Sequence, residues 1–341
     1  MNYPHPSSCA LKQLKDVKLM VESKEELVRQ THQAIAEVEK VIVGKQRLVQ
    51  LVFCCLLADG HALLDDVPGV GKTMLARAIA GSLGCKFTRV QATPDLLPSD
   101  VTGSSIFNQL TQEFEFKPGP VFTNILLVDE INRATPKTQS SLLECMGEGQ
   151  VSADKITYEL PKPFFVIATD NPIEHHGVFP LPVAQLDRFT MKLSLGYPGR
   201  KDEVKMLASQ RLEHPIGQVE ARLDSERVIE LQRHVREVFV DPTLDAYVVS
   251  LTGATRSDSR LTIGASPRGS ISLIRTSQAL ALLAGRDYVL PEDIKAVAPY
   301  VLVHRLVASP EARARQMTEA DIIKSLLTEA PAPPVQRVMP A

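Results

Sequence analysis

An α/β layer followed by an all-helical domain is the fold class that the sequence predicts, on three observations. Short runs that are apolar throughout, Ala62-Leu63-Leu64, Ile125 to Val128 and Phe164 to Ala168, read as strands buried on both faces of a parallel sheet. Stretches of helical spacing separate them, and strands alternating with helices define an α/β layer. After Tyr197-Pro198-Gly199 helical periodicity dominates, and no strand-like run of comparable strength returns.

In chain order, residues 1–20 read as a flexible arm. From Val21 through Val38 charged and apolar residues alternate at helical spacing, and Val41-Ile42-Val43-Gly44 breaks that helix. Leu48, Leu51, Val52, Leu56 and Leu57 mark a second helix. Its apolar stretch, Leu48 to Ala58, is interrupted by Gln50 and is far shorter than the ~20 residues needed to cross a bilayer, so a buried helix is expected and no membrane span. Met74 to Leu83 and Pro136 to Met146 supply helices between the strands. The second domain offers Asp202 to Gln210, Asp224 to Val238, Leu244 to Thr252, Ser270 to Ala284 and Pro291 to Val303, with Asp241-Pro242 and Leu290-Pro291 as start signals. The expected division is a core at 21–198, a helical domain at 199–329 and a disordered, proline-rich tail at 330–341. A chain of 341 residues suits two domains at about 100–200 residues each.

Composition narrows the function classes. With 44% hydrophobic and 23% charged residues the chain has the balance of a compact globular protein. A formal net charge of −2 provides no global positive field toward phosphate backbones or anionic lipid, so no nucleic acid partner is expected. The five cysteines, Cys9, Cys54, Cys55, Cys85 and Cys145, are odd in number and lack C-x-x-C spacing, which suggests buried free thiols rather than disulfides or a zinc site. Met1 to Ala10 has prolines and a histidine where a secretory signal needs an apolar core, so a cytoplasmic protein is expected.

The chemistry is concentrated in three places. Asp66-Val67-Pro68-Gly69-Val70-Gly71-Lys72-Thr73, continuing into Met74, follows a predicted strand and opens a predicted helix, the context that a phosphate-binding loop requires. Gly69 and Gly71 let backbone N–H groups turn toward phosphates, Lys72 supplies a point charge for the β- and γ-phosphates, and Thr73 offers a hydroxyl to Mg²⁺. Asp66 stands where the general pattern G-x-x-x-x-G-K-[ST] has its first glycine. The run Ile125 to Val128 then delivers Asp129 and Glu130 at its carboxyl end, where ligands bind in open α/β sheets. Asp129 suits the metal's water shell and Glu130 suits orienting an attacking water. A further strand ends in Thr169-Asp170-Asn171, where Asn171 could hold the water or sense a phosphate, or simply form a turn before Pro172. Arg188, in Leu186-Asp187-Arg188-Phe189, could serve a neighbouring subunit's nucleotide or form a local pair with Asp187. His175-His176 lack partners at metal-ligand spacing and read as a solvated loop.

Taken in order, these residues resemble the AAA+ superfamily, and the connecting segments resemble its MoxR family. The matching segments are Thr93 to Asp100, Lys117 to Phe122, Asp129 to Ala134, Ala168 to Pro172, Pro180 to Pro182, Leu186 to Phe189 and Gly264 to Arg268. The resemblance runs from about Val41 to about Leu306. It implies an αβα P-loop nucleotide-binding domain followed by an all-helical lid, with ATP and Mg²⁺ bound where they meet and at a subunit boundary. Lys72 and Thr73 then match the Walker A loop, Asp129 and Glu130 the Walker B pair, Asn171 sensor 1, Arg188 the arginine finger and Arg268 sensor 2. Val41, Ile42 and Gly44 would line the adenine pocket. Ser104 to Phe116 resembles an insertion into the second helix and Gly149 to Leu160 the hairpin before sensor 1, both facing a pore or substrate. The implied protein is a homo-oligomeric, hexameric ring that hydrolyses ATP to remodel or activate clients, including metal insertion with a von Willebrand factor A domain partner. The rival is a nucleic-acid-dependent AAA+ motor, which the neutral charge disfavours. No Asn-Lys-x-Asp guanine motif points to a GTPase, and no His-Glu-x-x-His or nucleophile–base segment points to a protease.

Overall fold

A computed structural model describes residues 23–153, 156–171, 177–211, 214–331 and 333. The expected arm at 1–20, the start of the first helix at Val21, Cys9, Pro172, His175-His176 and most of the expected tail lie outside the described residues.

The fold opens with two helices, α1 (Lys24–Val41) and α2 (Gln46–Leu57). The Ser23 hydroxyl caps α1 by accepting from the Glu26 amide, and Glu25, Glu26 and Lys40 complement the helix dipole at its two ends. Leu27, Thr31, Ala34, Val38 and Val41 recur at three- and four-residue steps and form its buried stripe. In α2, nine of the twelve residues are buried, which explains its apolar stretch without a membrane. Among the described residues no helix is long and apolar enough to cross one.

Five parallel strands form the central sheet: β1 (Ala62–Asp65), β2 (Phe87–Gln91), β5 (Ile125–Asp129), β8 (Phe165–Asp170) and β9 (Met191–Leu193), in the order β2-β5-β8-β1-β9. The three middle strands are buried up to their last residue, as a parallel sheet covered on both faces requires. Alternate side chains serve opposite faces. Ile125, Leu127, Phe165, Ile167, Ala62 and Leu64 join one apolar cluster, and Leu126, Val128, Val166, Ala168 and Leu63 join the other. The edge strands β2 and β9 escape a reading based on apolar runs, because β2 is Phe-Thr-Arg-Val-Gln and β9 has only three residues.

Helix α3 (Lys72–Ser82) covers the first face with α1 and α2, while α4 (Pro98–Thr102) and α5 (Pro136–Glu148) cover the second. Two antiparallel hairpins project from the second side. One pairs β3 (Gly103–Asn108) with β4 (Glu113–Pro118), and the other pairs β6 (Gln150–Ala153) with β7 (Ile156–Glu159). They touch through Phe116 stacked on Tyr158, with ring centroids 4.1 Å apart.

The later helices are α6 (Val183–Leu186), α7 (Arg200–Ser209), α8 (Ser225–Glu237), α9 (Pro242–Ser257), α10 (Pro267–Leu283), α11 (Pro291–Leu302), α12 (Pro310–Ala314) and α13 (Glu319–Glu329). The helical second half expected from the sequence is therefore present, with one small addition. A ribbon of β10 (Leu261–Ile263) and β11 (Val307–Ala308) ties the end of α9 to the segment after α11. The apolar residues of α8 to α11 and α13 do not close on themselves. They belong to the same cluster as α1, α2 and α3.

Because Leu127 has no exposed surface, Leu127→Ala should lower unfolding free energy by about 2–5 kcal/mol. Leu110 is 96% exposed, so Leu110→Ala should stay within about 0.5 kcal/mol of the parent. Urea unfolding followed by circular dichroism checks both.

Candidate functional site

The carboxyl ends of β1, β5 and β8 emerge side by side, and the polar residues withheld from their interiors appear there together. Asp65 pairs in register with Asp170, and Gln91 with Asp129. The chain leaves β1 into residues 66–71, and α3 begins at Lys72. Gly69 and Gly71 take φ of 84° and 98°, a left-handed conformation that a side chain disfavours. Nothing lies within 4 Å of where a Cβ at either position would stand, so the loop borders open space at both glycines. Lys72 is buried and its Nζ donates to the Asp66 carbonyl at 2.7 Å, across the mouth of the loop. Thr73 and Met74 continue the first turn of α3. Val70 and Met74 pack on the core, and Pro68 is exposed.

Asp66 has a structural task of its own. Its carboxylate accepts from the Leu195 amide at 2.5 Å, the Gly196 amide at 2.9 Å and the Ser194 hydroxyl at 2.7 Å. The phosphate-type loop is thereby fastened to the chain leaving β9, a bond that a glycine at this position could not make.

Two strands over, at the end of β5, Asp129 and Glu130 are organised by Thr169 of the intervening β8. The Thr169 hydroxyl donates to Asp129 Oδ1 at 2.7 Å and accepts from the Glu130 amide at 2.8 Å. Arg89 donates to Asp129 Oδ2 at 2.6 Å. Glu130 holds φ at 56°, unusual for a non-glycine residue, and its Oε2 accepts from Gln91 Nε2 and from Arg133 Nη1, each at 3.0 Å. Arg89 and Gln91 escape a reading built on motifs, and only their positions on β2 reveal them, while Arg133 lies in the matched segment Asp129 to Ala134 and gains its partner only in the fold. Asn171 is buried just past β8, and its carbonyl accepts from Asn132 Nδ2 at 3.5 Å. Burial and the neighbouring Asp65 push the Asp170 carboxyl up, with Lys192 opposing.

The remaining predicted residues surround this edge at different distances. Val41 and Ile42 are buried at the end of α1, and Gly44, with φ of 75°, packs directly against the Asp202 side chain of α7. Arg188 donates from Nη1 to the Leu143 carbonyl of α5 at 2.6 Å. Arg268 is exposed in the first turn of α10, and its amide donates to the Ser266 hydroxyl that caps the helix. Among the described residues no group of three or more His, Cys, Asp or Glu side chains could by itself hold a metal ion. Mg²⁺ keeps several waters and takes one or two carboxylates together with substrate phosphates. The hard oxygens of Asp129 and Thr73 fit such an ion in company with a phosphate-bearing ligand. The thiols take no part: burial pushes Cys54 and Cys145 up to about 12 and Cys85 to about 11.

A phosphate-loop α/β domain with a helical lid is the class that fold and site define, and comparisons with known proteins agree. Residues 61–191 match the model of the ATPase family associated with various cellular activities (AAA), and residues 253–326 match the AAA lid domain. The chain is 49% identical to the uncharacterized protein YeaC of Bacillus subtilis, over 89% of this chain and 95% of that one. It is 42% identical to the chaperone MoxR1 of Mycobacterium tuberculosis, over 91% and 84%. A crystal structure of a candidate ATPase from Cytophaga hutchinsonii superposes with a TM-score of 0.84 at 38% identity, covering 94% of this chain and 99% of its own. The chain belongs to the MoxR family of AAA+ ATPases.

Restoring the general loop pattern should do harm here. Asp66→Gly removes three hydrogen bonds to a charged acceptor, so a stability loss on the order of 2 kcal/mol or more is expected, together with weaker nucleotide binding. Thermal unfolding and titration with a fluorescent nucleotide provide the check, and equal or better affinity in the glycine variant would refute the anchoring role.

Proposed function

We propose that this chain binds and hydrolyses ATP with Mg²⁺ in a ring of like subunits, and uses the cycle to remodel, assemble or activate client proteins. The observation that carries the reading is the junction of the open glycine loop ending in Lys72 with the Asp129–Glu130 pair, joined across β8 by Thr169. Phosphoryl transfer depends mostly on positioning and charge stabilisation, and this edge supplies both. Lys72 exchanges the Asp66 carbonyl for the β- and γ-phosphates, while the amides of residues 69–73 and the α3 dipole face the phosphate chain. Thr73 and Asp129 would hold the magnesium ion, which supplies charge neutralisation when bound. Glu130 orients and polarises the attacking water, and Asn171 lies beside it past the end of β8.

Arg188, held to the Leu143 carbonyl of α5 in its own subunit, is proposed to serve a neighbour's nucleotide, as its place in the Leu186 to Phe189 segment implies. Arg268 at the head of α10 is the lid's contribution to its own subunit's site. Val41, Ile42 and Gly44 suit the adenine side. The chaperone name of the Mycobacterium relative supports client remodelling, with a von Willebrand factor A domain protein as the proposed intermediary. A hexameric ring and a cytoplasmic location are part of the same proposal.

Glu130→Gln should bind ATP with affinity near the parent's while turnover nearly vanishes, and the ATP-loaded variant should retain its client in pull-downs. Normal hydrolysis by this variant would remove Glu130 from the mechanism. Arg188→Ala should lower hydrolysis by up to ~10³-fold. Mixed with Glu130→Gln subunits, which supply the arginine but cannot turn over, the Arg188→Ala subunits should recover activity. If demonstrably mixed rings stay inactive, the arginine does not act in trans.

A further inference from the structure

Arg305 is 2% exposed and ends the short 3₁₀ turn Val303–Arg305 after α11, yet every core partner it has lies at 187–190. Its Nε donates to Asp187 Oδ1 at 2.9 Å, and Nη2 donates to the Phe189 carbonyl at 2.6 Å and the Asp187 carbonyl at 3.3 Å. Its Nη1 donates to the Thr190 carbonyl at 3.2 Å and to the Val301 carbonyl. His304 beside it contacts the Phe189 carbonyl through Nε2 at 2.9 Å. That nitrogen also lies 2.8 Å from Arg305 Nη1, and burial together with the Arg305 charge holds the imidazole well below its ordinary pKa.

The second oxygen of Asp187 looks the other way. Its Oδ2 accepts from the Ser266 hydroxyl at 2.8 Å, and Ser266 is the cap of α10. Two residues past that cap is Arg268, and one residue past Asp187 is Arg188. A single partly buried carboxylate therefore sits between the helix start that carries one candidate arginine and the segment that carries the other. The Arg305 guanidinium, also in reach of Ser272 Oγ on α10 at 3.3 Å, fixes the carboxylate's orientation.

We propose that Asp187 and Arg305 are positioning residues that couple the lid to the arginine offered to the next subunit. A shift of the α10 start toward nucleotide in one site pulls on Asp187 through Ser266, and so resets Arg188 for the neighbouring site. The inference rests on the ATPase reading above and assigns to that reading a route between adjacent sites. A planar guanidinium with five donors suits the joint, because the three donors of a lysine could not hold the Asp187 carboxylate and four carbonyls at once.

Removing Arg305 would leave a carboxylate unpaired in a buried setting and endanger the fold, so Ser266 is the place to cut the connection. Hydrogen exchange of the parent, Ser266→Ala and Ser266→Thr, with and without a non-hydrolysable ATP analogue, separates the outcomes. In the parent, nucleotide should change exchange at the phosphate loop (66–74), the α10 start (264–272) and the 183–190 segment. In Ser266→Ala the change at 183–190 should disappear while the loop still responds, and Ser266→Thr, which keeps the hydroxyl, should restore it. Steady-state hydrolysis should show kcat lowered about 10- to 100-fold in Ser266→Ala with KM within about twofold, the signature of misplacement rather than lost binding. A response at 183–190 that is unchanged in Ser266→Ala, or absent from a parent whose loop responds, overturns the coupling and leaves the ATPase reading intact. No response to nucleotide anywhere in the parent overturns both.

Discussion

A parallel strand covered on both faces has nowhere to put a polar side chain until it leaves the sheet, and this constraint governs the molecule. β1 and β5 stay apolar through three and four buried positions, and β8 through four before the buried Thr169, and they then end in Asp65, Asp129 and Asp170. Since the strands run parallel, those ends fall along one edge, and the register sets Asp65 beside Asp170 and Asp129 beside Gln91. Burial first and the neighbouring Asp65 second push the Asp170 carboxyl up, and cations stand against the acidic edge: Lys192 on Asp65, Arg89 on Asp129 and Lys72 at the loop mouth. The same edge is thus acidic enough to attract a divalent ion and basic enough to receive phosphates.

Holding that edge in register takes more than the sheet. Thr169 uses both faces of one hydroxyl, donating to Asp129 and accepting from the Glu130 amide, which fixes the unusual backbone at Glu130. Asp66 does the equivalent for the loop, tying it to residues 194–196, the stretch through which the chain passes from β9 to α7. The stretch beyond reaches the third side of the site, since Lys45 Nζ donates to the Tyr197 carbonyl and Asp202 packs on Gly44. Residues 194–202 therefore touch both the phosphate loop and the 41–45 segment, so a ligand spanning these two would engage the connection between core and lid.

Much of this was legible in the sequence wherever a single physical rule dominates. Apolar runs identify the three middle strands, because double-sided burial leaves no other composition open to them. The glycine loop and the acidic pair are legible because phosphate and metal chemistry restrict residue types at fixed spacing. Rules that act between distant segments leave no such trace. Phe-Thr-Arg-Val-Gln becomes a strand only because β5 lies beside it, and Arg89 and Gln91 matter only because that pairing aims them at Asp129 and Glu130. Asp66 reads as a departure from a pattern until its partners 128 to 130 residues away are known. Arg305 reads as an ordinary arginine near the end of a helix, and its 2% exposure and its partners across more than a hundred residues are properties of the fold alone. The helical half is visible by periodicity, but the continuity of its core with α1 to α3 is not.

That continuity restricts what the lid can do. Close-packed interiors transmit strain and do not stretch, so swinging α8 to α11 away from α1 and α2 would open a cluster that contains Leu27, Val38, Val52, Leu231 and Leu273, each at most 1% exposed. Movement is less costly where contacts are polar and can slide, and two such places are the 194–202 connection and the joint at Asp187. One lies beside the phosphate loop and the other beside Arg188. A small shear of the lid over the core, rather than a wide opening, is therefore the motion that the packing favours, and both of these sliding contacts lie next to residues proposed to serve nucleotide chemistry.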